Sequence, residues 1–124
     1  MNDISKEQFL ESYSAGQRSF EGLDFGQENF TGVNFSGATF KLCFITDCNL
    51  SAANFTDTTL IDCNLKCSNF LNAILVNTTI TGCAVEATNF EGATIVNVIF
   101  ENNGYYSINL TQKDATKYFE TERF

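Results

Sequence analysis

The chain contains no histidine, tryptophan or proline, and its 7 Lys and Arg are outnumbered by 15 Asp and Glu. Without histidine there is no imidazole for a nucleophilic triad, a proton shuttle near neutrality or the commonest metal ligation. Most hydrolase and metalloenzyme chemistries therefore lose their usual parts. The shortage of cations leaves a net charge of −8, which repels phosphate backbones and anionic membranes. Direct binding to nucleic acid or membrane is disfavoured, and a cationic partner is a better match. No window approaches the roughly 20 consecutive apolar residues of a membrane-spanning helix. A chain of 124 residues suits one domain with a real core, too small for two lobes around a cleft.

The N-terminal stretch MNDISKEQFLESYSAG is interrupted by Asp3, Lys6, Glu7 and Glu11, so it does not read as a signal peptide. Five cysteines, an odd number without an export signal, are expected to be reduced thiols. The chain is accordingly expected to begin at its mature terminus and to be soluble and cytoplasmic.

The dominant feature is a period of five. Large apolar residues recur at Phe20, Phe25, Phe30, Phe35, Phe40, Ile45, Leu50, Phe55, Leu60, Leu65, Phe70, Leu75, Ile80, Val85, Phe90, Ile95, Phe100, Tyr105 and Leu110. At 44% apolar composition an unbroken run of this length has a chance probability of about ten to the minus seven. Neither a 3.6-residue helix nor a two-residue strand keeps such a stripe on one face, so the backbone must turn between centres and form a solenoid. Two residues before each centre the side chain is mostly small, for example Ala38, Cys43, Ala53, Cys63, Ala73 and Cys83, and this slot also points inward. Asn or Thr dominates the position just before the centre, as in Asn29, Asn49 and Thr39. That position and the two after the centre face solvent. Triplets such as Asn29-Phe30-Thr31 are therefore an outward, inward, outward pattern, not glycosylation signals.

This pattern of small residue, Asn or Asp, Leu or Phe and two variable residues resembles the pentapeptide-repeat family over residues 18–112. The resemblance implies an all-β right-handed quadrilateral parallel β-helix, with four quintets to a 20-residue coil and nearly five coils. Folding the chain at 20 aligns Asn29, Asn49, Asn69, Asn89 and Asn109, and separately Thr39, Thr59 and Thr79. Such columns predict amide hydrogen bonding from coil to coil. The segment ESYSAGQRSF is similar to the lead-in of cyanobacterial members of the family, which implies a cyanobacterial source.

A solenoid exposes apolar cross-sections at both ends and needs covers. Residues 1–17 supply one: Ser5 with Gln8 forms a capping box, Phe9, Leu10 and Tyr13 give an apolar face, and Gly16 stops a helix spanning about 5–15. Residues 113–124 supply the other, with Thr111 and Asp114 at the helix start and Ala115, Tyr118 and Phe119 on one face. The repeat degrades at Asn103, Gly104 and Tyr105, where a bulge or loosened corner is expected.

Cys43, Cys63 and Cys83 stack in one inward column. A redox ladder or thiolate metal site is conceivable there, but the same slot holds Ala, Ser and Thr in other coils, and no CxxC spacing supports a ligand set. Burial is the preferred reading, and no catalytic, cofactor or metal residue is assigned. A three-residue Thr column is too short to suggest ice binding. Residues 18–112 hold nine acids against Arg18, Lys41 and Lys66, a net −6. The family includes quinolone-resistance members that mimic duplex DNA and bind DNA gyrase, so this excess raises mimicry as an alternative, although the acids scatter over all faces. One departure from pattern points to a binding surface: outward positions become apolar at Leu71, Ile74, Val76 and Val96. The leading expectation is a non-catalytic scaffold that binds a protein, or a second copy of itself, through that face.

Overall fold

The computed structural model describes residues 2–121 and consists of a right-handed quadrilateral β-helix closed by a short helix at each end. In chain order the elements are β1 (Asn2–Asp3), α1 (Lys6–Ser14), β2 (Ser19–Glu21), β3 (Leu23–Asp24), β4 (Thr39–Lys41), β5 (Thr59–Ile61), β6 (Ile74–Val76), β7 (Thr79–Thr81), β8 (Thr94–Val96), β9 (Ile99–Glu101), β10 (Asn103–Tyr105), β11 (Ile108–Leu110), a 3-10 turn (Gln112–Asp114) and α2 (Ala115–Thr121).

Each coil advances 20 residues and contributes one rung to each of four faces. On the first face β2, β4, β5, β7 and β9 pair in parallel, aligning Ser19, Thr39, Thr59, Thr79 and Ile99. The second face aligns Asp24, Phe44, Asn64, Ala84 and Gly104, and the third aligns Asn29, Asn49, Asn69 and Asn89. The fourth aligns Asn34, Asn54, Ile74 and Thr94, its upper part being the β6–β8 pair.

The five-residue period becomes a square because the chain turns once per quintet. From Gly22 to Asn102 every second residue after a centre has a positive φ, between 52° and 76°. Many corners are then closed by a turn hydrogen bond, as from Val33 N to Phe30 O, Ala53 N to Leu50 O and Ala73 N to Phe70 O. Glycine, Asn and Asp tolerate this left-handed backbone, but Leu42, Ala52, Cys67 and Ala87 hold it as well. The parallel ladder must therefore offset local cost at those corners.

The centres fill the interior, with Phe20, Phe40, Leu60, Ile80 and Phe100 at most 1% exposed. Each buried Phe or Leu side chain contributes roughly 1.5–3 kcal/mol relative to exposure. Ile95 departs from the expectation: it is 36% exposed, because no further coil covers the fourth face above it.

Both ends are plugged by an aromatic side chain. Phe9 on α1 is fully buried among Phe20, Phe25, Phe30 and Phe35, with ring centroids 5.0–6.0 Å apart. The expected capping box is present, with Gln8 N donating to Ser5 Oγ at 3.1 Å and Ser5 N donating to Gln8 Oε1 at 2.8 Å. Gly16, at φ +102°, terminates α1 while Gln17 N and Gly16 N donate to Ser12 O and Tyr13 O. At the other end Tyr118 on α2 stacks on Phe100 and donates to Val85 O at 2.8 Å. The expected start of this cap holds: Thr111 N donates to Asp114 Oδ2 at 2.8 Å. The expected helix reached residue 124, and residues 122–124 lie outside the described residues.

Three expectations are corrected. The break at Asn103–Tyr105 is not a bulge but the first strand of a hairpin, β10 pairing antiparallel with β11 across Tyr106 and Ser107, which have φ of 47° and 68°. That is the left-handed pair a two-residue hairpin needs. The parallel ladder thus reaches Gly104 and not residue 112, and Asn109 pairs with Gly104 instead of continuing the Asn column. The outward Asn side chains mostly do not bridge coils either. Asn29, Asn34, Asn49, Asn54, Asn64, Asn69 and Asn89 accept from the amide two residues on. The amide there enters a corner and needs a local acceptor, which an Asn side chain reaches more readily than its counterpart one coil away. Among the outward Asn side chains of the described residues, coil-to-coil bonds run from Asn89 to Asn69, at 3.2 Å, and from Asn97 to Asn77, at 3.3 Å.

Candidate interaction surface

Where the corners follow the first face, the carbonyls of Phe20, Phe40, Leu60 and Ile80 point inward. They accept from Cys43 Sγ, Cys63 Sγ, Cys83 Sγ and Asn103 Nδ2, at 3.5, 3.3, 3.4 and 2.9 Å. The same relation, side chain to the centre of the coil below, joins Cys48 to Phe25, Thr58 to Phe35, Ser68 to Ile45 and Thr78 to Phe55. The inward slot is thus small and, in these coils, also a hydrogen-bond donor. The cysteine column satisfies buried backbone acceptors.

This environment suppresses thiol chemistry. Hydrogen bonding to Cys63 and burial push the Cys43 thiol far above its usual range. Burial pushes Cys48 up to about 11. For Cys63 the largest influence, the bond with Cys43, lowers the value, but the bond with Cys83 and burial outweigh it and raise it to about 12. Neutral thiols are weak nucleophiles and poor ligands. All five cysteines are unpaired, and only Cys67 is exposed. Among the described residues no group of three or more His, Cys, Asp or Glu is arranged to hold a metal ion.

The structure places the four expected surface residues unevenly. Val76 and Val96 are register partners on the fourth face, with Ile74 beside them on β6. Ile74 and Val96 are exposed and Val76 is partly buried. Leu71 is partly buried on the adjoining third face, across the corner formed by Asn72 and Ala73. Reading the columns upward gives Asn34, Asn54, Ile74, Thr94 and Ser36, Thr56, Val76, Val96. The face is polar in its lower coils and apolar in its upper ones.

Three further exposed apolar residues did not stand out in sequence. Ile99 stands 54% exposed on the next face, Ile95 is uncovered at the end of the solenoid, and Phe44 stands 42% exposed on the second face beside Leu42. Ile99 and Phe44 occupy the outward slot where Asn or Thr is usual, a signal the sequence does carry. Above Ile95 lies a groove of about 600 Å³ between the last coil and α2, floored by Phe90, Ala93, Ile95, Val98 and Phe119.

The acids form no continuous column. Glu21 stands abreast of Lys41, Glu86 lies 3.5 Å from Lys66, and Asp47, Asp57 and Asp62 occupy three different corners. No helix among the described residues is long and apolar enough to cross a membrane.

The chain matches the family model described as pentapeptide repeats, in eight copies, over residues 19–51, 43–82 and 53–92. Together these cover more than half of it. No curated protein matches. Among solved structures, a trypsin-treated form of QnrB1, a plasmid-mediated fluoroquinolone resistance protein, is 26% identical with a TM-score of 0.65, covering 68% of this chain and 45% of that one. A second trypsin-treated form gives 23%, 0.58, 68% and 49%. The protein alr5209, a pentapeptide repeat protein from Nostoc Pcc 7120, is 20% identical with a TM-score of 0.53, covering 95% of this chain and 94% of that one. This chain spans about half the length of the QnrB1 structures it matches and nearly the whole of alr5209.

Proposed function

The chain belongs to the pentapeptide-repeat family, and from that membership we propose that it is a non-catalytic scaffold binding a protein partner through the upper part of its fourth face. One observation carries this reading. At Asn34 and Asn54 the side chain accepts from the amide two residues on, whereas Ile74, in the same column, forgoes that bond and exposes an apolar side chain. Val76 and Val96 replace Ser36 and Thr56 in the neighbouring column. β-branched residues suit a strand surface, but a contiguous run of them at solvent-facing positions is also what a partner covers. With Leu71 at its margin, the patch is Leu71, Ile74, Val76 and Val96. The absence of histidine and the raised thiols of Cys43, Cys48 and Cys63 support a role without catalysis or cofactor, and five unpaired cysteines suit the cytoplasm.

The test is a Val76→Lys, Val96→Lys double variant compared with the parent in affinity capture and in sedimentation. Loss of a captured protein or of self-association, with the circular dichroism spectrum retained, is expected. An unchanged oligomeric state and an unchanged set of partners would sink the reading.

A second reading has two observations in its favour. The likeness to QnrB1, together with a net −6 over residues 18–112, supports a DNA-mimic inhibitor or protector of a DNA-binding enzyme such as DNA gyrase. Lys41 and Lys66 beside Glu21 and Glu86 weaken it, since mimicry needs uninterrupted columns of acids. A DNA supercoiling assay separates the two: inhibition at micromolar protein favours mimicry, and no effect removes it.

A further inference from the structure

At the C-terminal end three faces have their last rung covered. On the first, the Gln112 side chain accepts from Phe100 N at 2.7 Å and donates to Val98 O at 3.1 Å. On the second, β11 pairs with β10. On the third, Tyr118 and Phe119 of α2 cover the Phe90 side chain, although the amides of Phe90 and Gly92 have no backbone partner among the described residues. The fourth face shares the third's open ladder but also leaves its centre, Ile95, 36% exposed, against 8% for Phe90. In the coil below, Ala73 O accepts from Thr94 N, and Asn77 N donates to Val96 O. By the same register Ala93 O and the amides of Ile95 and Asn97 point away from the solenoid, and no described residue bonds to them. β8 is an open edge, and its middle side chain, Ile95, forms part of the groove floor.

The rim of that groove carries Glu91 and Glu120, and among the described residues no Lys or Arg lines it. A second copy docking here through a two-fold axis would set these acids against their own images in a chain of net charge −8. The open ladder, the apolar floor and the acidic rim together select a different occupant. Resting on the scaffold reading above, we propose that the β8 edge takes up an extended segment of a partner protein as an added rung, with an inward apolar residue flanked by outward Lys or Arg. The inward residue stands over Ile95 as Ile95 stands over Leu75, against Phe90, Val98 and Phe119, while the flanking cations reach Glu91 and Glu120. Backbone bonds to Ala93, Ile95 and Asn97 supply affinity, and the pocket and rim supply selectivity.

The probe is the synthetic peptide acetyl-Lys-Thr-Lys-Ile-Lys-Thr-amide, added to the full chain while amide hydrogen exchange is followed residue by residue. Exchange at Ile95 and Asn97 should slow by about tenfold at saturation, while Phe100, already bonded to Gln112, is unchanged. A Glu-for-Lys peptide and a backbone N-methylated peptide should give no protection. A Glu91→Lys, Glu120→Lys double variant, both exposed positions, should bind the probe about fivefold more weakly. No protection at millimolar peptide, equal protection by the acidic peptide, or protection that rises with protein concentration alone would each overturn the proposal. The last would assign the edge to a second copy. If the Val76→Lys, Val96→Lys variant loses a captured partner yet the parent's edge binds no peptide, the added rung fails and the scaffold reading stands.

Discussion

The side-chain amide of Gln112 occupies the place of a missing peptide group above Phe100: it accepts from Phe100 N and donates to Val98 O. In each coil below, one residue of the next rung makes this pair of bonds through its backbone. A solenoid of identical rungs has no intrinsic stopping point, and here a single side chain ends one face by imitating the rung that does not follow.

Gln112→Ala should leave both groups unsatisfied and cost about 1–3 kcal/mol in urea unfolding. Gln112→Glu retains an acceptor for Phe100 N but loses the donor to Val98 O. Exchange at the Phe100 amide should therefore rise strongly in the Ala variant and less in the Glu variant. Equal rates in the parent and the Ala variant would show that the cap carries no weight.

Phe9→Ala should be among the most destabilising single changes. It empties the centre of a ring formed by Phe20, Phe25, Phe30 and Phe35, and a buried Phe reduced to Ala costs about 3–5 kcal/mol. Leu10→Ala, on the same helix but 37% exposed, should cost far less. Denaturant midpoints of the two variants give the comparison.

Leu42→Asn should stabilise the fold by about 0.5–1 kcal/mol. Leu42 sits at φ 56° with its side chain 47% exposed, so the substitution relieves left-handed strain and removes little packing. A thermal melt showing no gain would mean that Leu42 makes compensating contacts with neighbours such as Phe44.

The thiols give a pH and a reactivity signature. In Cys48 and Cys63 the folded values lie above the ordinary 9.0, so the native state holds protons that the unfolded chain releases first. Stability contributed by these thiols is fully present below pH 9.0 and should be lost as pH rises from there through about 11 and about 12. Cys48→Ser, which replaces the thiol donor toward Phe25 O with a hydroxyl, should flatten part of that slope. Below pH 8, a thiol reagent should label Cys67 alone in the native protein and all five cysteines in urea, as read by intact mass.

The inward centres were legible in sequence, since they follow from a period of five repeated many times over, whereas the 20-residue coil was implied by the family resemblance and matched by the columns that folding at 20 aligns. The capping box at Ser5 and Gln8 was equally legible, because its partners lie three residues apart. The interaction patch was only half legible. Val76 and Val96 share a column that counting by 20 reveals, but Ile95 shares the spacing of every buried centre and is nevertheless exposed. Periodicity encodes which way a side chain points, not whether another coil lies above it.

What the sequence by itself determined is therefore the repeating unit: inward centre, small inward slot, polar exterior and a corner every five residues. Only the tertiary structure decided where the unit stops and how each side chain satisfies its hydrogen bonds. Asn29 and Asn49 bond within their own quintets because the corner amide is nearer than the next coil, and the Cys43 thiol serves the Phe20 carbonyl 23 residues earlier. Gln112 and β11 close two faces and leave β8 open, because the caps are set by long-range contacts that no period of five records.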